Sequence, residues 1–301
     1  MFIVNHRTFF FWVTGIILVA SIASIVIFPL HFSIDFTGGS LLEATYTGDR
    51  PAITQIESDL GALSLGEVSV RESGPTGVVV RAHTLTTEEH TALLAALSEN
   101  GKYQVTETRF TSIGPSLGSE LATKALYALA AVIFAIVLYI AWAFRKVSRP
   151  VPSWGYGITV IAMLAIDIIV PTGFFAAYAH FTGAEADTLF VVALLALLGY
   201  CVNDVIVIFD RVREHLARNE KAGQHQRFEE VVGHSITQTL GRSINTALTV
   251  VLVLLALIFI GSETTRNFAL VMLVGVVIGT FSSIARSAPL LIPLAKAFDK
   301  K

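Results

Sequence analysis

Cysteine is all but missing from this 301-residue chain. Cys201 stands alone, so neither an internal disulfide framework nor a cysteine-based zinc cluster can form. Charge is scarce as well. Charged residues make up 15% of the chain, against about 25% in ordinary soluble domains. Neither sign dominates: 21 Lys and Arg face 23 Asp and Glu, a net charge of -2. There is no global field to attract nucleic acid. The chain also lacks a G-x-x-x-x-G-K-[ST] loop, a G-x-S-x-G elbow and an H-E-x-x-H pair. Its histidines are scattered, with none paired at metal-ligand spacing. The expectation is a protein that is not an enzyme and carries no cofactor or metal.

What is plentiful is apolar surface. Hydrophobic residues make up 53% of the chain, and the mean hydropathy is +0.68. That excludes disorder and makes a polytopic α-helical membrane protein the natural class. A span needs about 20 mostly apolar residues. Runs almost free of charge place spans at residues 8–30, 125–144, 154–178, 188–209, 243–262 and 267–287, the last carrying Arg286 at its end. Only Asp167 interrupts the third and only Asp204 the fourth. The first run is too long for a signal h-region and no A-x-A site follows, so it reads as a retained helix.

Lys and Arg set the orientation. Arg7 precedes span 1, and Arg145, Lys146 and Arg149 lie between spans 2 and 3. Arg211, Arg213, Arg218, Lys221 and Arg227 occupy the 210–242 loop, and Lys296, Lys300 and Lys301 the 288–301 tail. With six spans these segments share one side, so both termini are expected in the cytoplasm. Residues 31–124 then form an outer, periplasmic domain. Alternation marks strands at Ser40–Thr47, Glu67–Glu72 and Val78–Ala82, with a last strand over Tyr103–Thr111. Ser73-Gly74-Pro75-Thr76-Gly77 is a turn. Helical spacing covers Pro51–Leu63, and a Thr86/Glu89 capping box precedes Ala92–Leu97. The order β-α-β-β-α-β is that of a ferredoxin-like α+β unit, a fold that hosts many functions and proves none.

Ionisable groups at bilayer depth cost about 2.5–3.5 kcal/mol on insertion scales. Asp167 lies in the middle of span 3, and Asp204 follows Asn203 in span 4. Arg242 opens span 5, and Asn245, Thr246 and Thr249 follow at offsets of 3, 4 and 7, a polar stripe on one helical face. One reading is a proton path, with an Asp poised between burial and a nearby Arg. The other is a static polar network that only fixes packing. Asp and Asn beside Thr hydroxyls suit Na⁺ as well as a proton. Gly275 and Gly279 form a G-x-x-x-G that signals close helix packing. Cys201 reads as a small buried apolar residue.

Several strings then resemble a known family. Asp35-Phe36-Thr37-Gly38-Gly39 follows span 1, and Ile113-Gly114-Pro115-Ser116-Leu117-Gly118 leads into span 2. Gly199-Tyr200-Cys201-Val202-Asn203-Asp204 runs on to Phe209-Asp210-Arg211-Val212-Arg213-Glu214 in span 4. Arg242-Ser243-Ile244-Asn245-Thr246 opens span 5, and Gly279-Thr280-Phe281-Ser282-Ser283-Ile284 lies in span 6. Together they resemble the SecD/SecF protein-export family of the resistance-nodulation-division superfamily.

The resemblance implies a SecF-type subunit of the cytoplasmic (inner) membrane. Such a subunit pairs with SecD and works with the SecYEG channel on the unfolded polypeptide that SecA has pushed through. The coupling ion would be the proton, and the family's proton-coupling residues would map onto Asp204 and Arg242, with Asn203 and Asp167 as further candidates beside them. Gly38-Gly39 would be a hinge or a tight turn at the membrane surface. A proton-driven small-molecule or lipid exporter of the same superfamily is the alternative. The chain departs from the family pattern in three places. Ile166 stands before Asp167 where many members carry His, Pro150 and Pro152 crowd the span 2–3 join, and Arg286 replaces an apolar residue near the end of span 6, where it is expected to snorkel.

Overall fold

The computed structural model describes residues 2–63, 65, 66, 68–145, 150–223 and 226–298. Glu67, Lys146, Ser148, Arg149, Lys300 and Lys301, used above for a strand boundary, the span 2–3 join and orientation, lie outside the described residues. The chain divides into two compact units, residues 1–31 with 127–301 and residues 32–126.

The first unit is helical. Its elements are α1 (Phe2–Asn5), α2 (Arg7–Ile27), then α6 (Pro115–Ala143) from Tyr127 onward, α7 (Ser153–Thr182), α8 (Thr188–Lys221), α9 (Phe228–Ile260), α10 (Glu263–Ser282) and α11 (Ala288–Phe298). A π-helical turn, Ser283–Ser287, joins the last two. Among the described residues, six helical segments are long and apolar enough to cross a membrane, the last being Thr265–Phe298. Half of the apolar window of α7 is buried within the chain, against 6% for α6 and 11% for α9. So α7 sits at the centre, while α6 and α9 turn wide apolar faces outward. The core below them includes Phe144, Tyr156 and Phe209, with Phe144 stacked on Tyr156 at 5.1 Å between ring centroids.

Local chemistry explains where the helices start and stop. Asp187 caps α8, its Oδ1 accepting the Phe190 N–H at 2.9 Å. Gly183 ends α7 in the left-handed conformation, φ 72°. Pro115 opens α6 at a position where the missing N–H costs nothing. The helix therefore begins ten residues before the apolar run at 125 and inside the segment read as outer domain. Likewise α8 runs on to Lys221, as the mixed charges of Arg211–Arg227 suggest for a solvated helix, and α9 starts at Phe228. Arg218 and Lys221 suit the negative end of the α8 dipole. The 288–301 tail is also helical as far as Phe298.

The second unit holds α3 (Ile34–Thr37), β1 (Gly39–Tyr46), α4 (Ile53–Gly61), β2 (Ser69–Ser73), β3 (Gly77–Ala82), α5 (Thr87–Leu97) and β4 (Val105–Ile113). Its sheet has the order β2-β3-β1-β4 with every pair antiparallel. Leu42, Ala44 and Tyr46 alternate inward from β1 and meet Val78, Val80, Ile56, Leu60, Leu93 and Leu97. The Thr86/Glu89 capping box forms both of its bonds. The Tyr46 hydroxyl donates to the Leu97 carbonyl at 3.0 Å, tying β1 to the end of α5.

Two glycines make the unit's first turn. Gly38 has φ 74° and Gly39 φ 128°, backbone that a side chain strains. A Cβ on Gly38 would lie 2.7 Å from the Pro115 Cα, and one on Gly39 2.8 Å from the Ala82 carbonyl oxygen. Gly118 faces the same turn, its would-be Cβ 2.6 Å from the Gly38 nitrogen. In this structure the pair forms a closed, packed turn.

Gly38→Ala is expected to cost at least about 2 kcal/mol through strain and overlap, seen as a lower thermal midpoint of the purified chain. An unchanged midpoint would mean the turn is not packed as described. Burial pushes the Tyr46 phenol up from 10.0 to about 12. The folded unit thus prefers the neutral phenol, so stability is full below pH 10 and declines as the pH rises through about 12. Denaturant unfolding at a series of alkaline pH values should show that slope, and Tyr46→Phe should flatten it.

Candidate functional site

The helical unit brings hydroxyl groups from two elements onto one carboxyl. Asp204, partly buried on α8, accepts from the Ser243 hydroxyl of α9 at 2.5 Å through Oδ1. Its Oδ2 accepts from the Ser283 hydroxyl of the π turn. Ser283 also lies 2.9 Å from the Thr280 carbonyl oxygen. A hydroxyl has a single proton to donate. When Ser283 gives it to Asp204, Oδ2 acts as a pure acceptor, which suits an ionised carboxyl. When Ser283 gives it to Thr280, its oxygen is free to accept a proton carried by Asp204. The geometry accommodates both states of the carboxyl with little movement.

Small residues make this approach possible. A Cβ on Gly275 would overlap the Leu197 side chain, and one on Gly279 the Cys201 Sγ, so the G-x-x-x-G lays α10 directly against α8. The π turn then rotates the helix before Pro289, which has no N–H for the Ala285 carbonyl. Ser287 donates back to the Ser283 carbonyl.

A second ionisable group lies deeper. Asp167 on α7 is 1% exposed and Arg286 in the π turn 2%. Cys201, Ser282 and the Arg286 charge all act on the Asp167 carboxyl. Yet Asp167 Oδ1 and Arg286 Nε and Nη1 have no hydrogen-bond partner. The expected snorkelling of Arg286 is therefore corrected: the π turn holds the side chain inside the bundle, 2% exposed.

Of the residues singled out from the sequence, Asp204 and Asp167 lie in the interior. Asn203, Arg242, Asn245, Thr246 and Thr249 are exposed on the unit's surface. Among the described residues no ion pair joins Arg242 to Asp204; the group beside Asp204 on α9 is Ser243. Asp35, Gly38, Gly39, Gly114 and Pro115 all belong to the other unit, where Ser33 caps the α3 turn by accepting the Asp35 N–H at 3.2 Å. Sequence reading passed over Ser243, Ser283 and Arg286 as site residues. Ser243 had a signal: Val232, Ile236, Thr239 and Ser243 recur at helical spacing and are all buried.

The fold and this site define a class first: a multi-pass membrane protein with ionisable groups held inside its bundle. Comparison with known proteins narrows it. A family model described as protein export membrane protein SecD/SecF, C-terminal, matches residues 93–297, and one for the SecD/SecF GG motif matches residues 23–49. The protein translocase subunit SecF of Anaerolinea thermophila is 35% identical over 96% of this chain and 92% of its own. The SecDF subunit of Bacillus subtilis is 31% identical over 93% of this chain but 36% of its own. The crystal structure of SecDF from Thermus thermophilus, a translocon-associated membrane protein, superposes with a TM-score of 0.81 at 28% identity. It covers 99% of this chain, which spans 38% of that longer protein. The chain belongs to the SecD/SecF family of protein-export membrane proteins.

Ser283→Ala removes a donor from a partly buried carboxyl. It is expected to destabilise the helical unit by about 1–3 kcal/mol, read as a lower thermal midpoint in detergent. A midpoint equal to that of the unaltered chain would show that the Ser283–Asp204 bond contributes nothing.

Proposed function

We propose that the chain is an accessory subunit of the Sec protein translocase and that, with SecD, it uses the proton gradient to promote late, SecA-independent steps of preprotein translocation. The observation that carries this reading is the Ser283 hydroxyl poised between Asp204 and the Thr280 carbonyl. A carboxyl whose bonding partners suit either protonation state can load and release a proton as its helices shift. One charge crossing 100 mV releases about 2.3 kcal/mol, enough to bias a two-state equilibrium about fifty-fold. The proton is the coupling ion, and the subunit itself is neither an enzyme nor a cofactor carrier.

The exposed row on α9 supports SecD as partner. Arg242 with Asn245, Thr246 and Thr249 would be costly against lipid, and a second six-span subunit seated there removes that cost. Both termini lie in the cytoplasm and the 32–126 unit, a ferredoxin-like sheet, lies outside the inner membrane. There it supports the capture of the unfolded polypeptide emerging from SecYEG.

Asp204→Asn should leave co-purification with SecD intact and abolish the stimulation of export by a proton gradient in inverted vesicles. Gradient-stimulated export at the unaltered level would sink the proton-coupling role.

A further inference from the structure

The proton-coupling reading uses Asp204 and leaves two buried charges without a task. Asp167 and Arg286 are more deeply buried than Asp204. They face each other across the α7–π-turn contact, close enough for each charge to act on the other. They do not form a bond. Asp167 Oδ1 and Arg286 Nε and Nη1 are enclosed and unpartnered. A carboxylate and a guanidinium in a medium of low dielectric attract strongly and close into a bidentate pair. Held apart as they are here, the two groups form no such pair, an arrangement compatible with a proton on the carboxyl. Pro171 adds to the polarity here, since it has no N–H to give the Asp167 backbone carbonyl.

The surrounding titratable groups are few. On α8 they are Cys201, whose Sγ faces Asp167, and Asp204, one turn further on. Tyr200 turns to Thr280 at 3.4 Å. From α9 the nearest group is the Ser243 hydroxyl, with Arg242 turned outward. Along α2 nothing beyond Arg7 can titrate. At the far end of α8, Asp210 and Arg213 pair with each other. Arg286 is therefore the one cation inside this part of the bundle among the described residues.

We propose that Asp167 is a second proton-binding group and that Arg286 is the arm it controls. With Asp167 protonated, the guanidinium stands off. With Asp167 ionised, it closes on the carboxylate and draws the π turn towards α7. Ser283 is three residues before Arg286 in the same turn, so this movement changes its reach to Asp204. The proton leaves Asp167 as a proton and no other bond is made or broken. Arg286 is on this account a positioning residue for Asp204, acting through Ser283. The inference rests on the proton-coupling reading above and deepens it by linking a second carboxyl to the first.

The test is infrared difference spectroscopy of the full chain with its partner subunit in lipid nanodiscs, stepped from acid to alkaline pH. The protonated-carboxyl stretch should contain two contributions, one lost in Asp204→Asn and the other in Asp167→Asn. In Arg286→Gln the Asp167 contribution should persist across the pH range in which the unaltered chain loses it, and Arg286→Lys should restore the unaltered profile. A role confined to packing would lower the thermal midpoint without moving that profile. Should Asp167→Asn not fold, Asp167→Glu keeps the acid and shifts the frequency of its band. A spectrum in Asp167→Asn or Asp167→Glu identical to that of the unaltered chain overturns the proposal, as does an Arg286→Gln profile that does not move. Failure of proton-coupled export is a separate result, since export that ignores Asp204→Asn would leave these bands as described.

Discussion

A carboxyl drawn into a helical bundle loses part of its solvent and needs donors from its neighbours in exchange. Much of the helical unit's arrangement follows from that demand at Asp204. Its two oxygens are satisfied by hydroxyls from α9 and from the π turn, so three helical segments must converge within hydrogen-bond distance. Convergence needs close backbones. Gly275 and Gly279 let α10 lie against Leu197 and Cys201 of α8, as small residues do wherever helices pack in lipid. The change to i→i+5 bonding at Ser283–Ser287 then turns Ser283 towards Asp204 and Arg286 towards Asp167. Gly173 meets the same kind of demand on the other flank. It admits the backbone of Ser21 and leaves its carbonyl to accept the Ser24 hydroxyl at 2.7 Å.

The 32–126 unit obeys the rules of water instead. Its strands alternate, its apolar faces close on α4 and α5, and its charges stay at the surface in pairs such as Lys102–Glu99 and Lys124–Glu120. Its demanding residues are the glycines. Gly38, Gly39 and Gly118 sit where a methyl group would strike backbone, which gives the D-F-T-G-G string a steric reason to keep its glycines together.

Particular residues show what could be read from the chain alone. Gaps between charges located the spans, because insertion cost depends on composition and length more than on neighbours. Asp167 and Asp204 stood out as acids in those gaps, and Thr86 with Glu89 announced a helix start that local bonds alone decide. Helix ends were less legible. α6 begins at Pro115 and α8 runs to Lys221, since a helix continues past its apolar stretch wherever caps and polar residues allow it. Arg242 was grouped with Asp204 as a proton-coupling residue, and the structure turns its neighbour Ser243 inward to Asp204. Successive residues on a helix point about 100° apart, so one position decides which of the two meets a partner.

The sequence by itself determined that this is a six-span membrane protein interrupted by a small α+β unit, with acids at depth in its third and fourth spans. Those properties are sums over local composition, periodicity and caps. Only the tertiary structure decided that Asp204 is held by Ser243 and Ser283, that Arg286 points inward to Asp167, and that the Arg242 row faces out. These outcomes depend on the rotation and depth of each helix against its neighbours, which glycine contacts and one π turn set. Asp204 and Ser283 alone stand 79 positions apart in the chain, a distance over which no local pattern carries information.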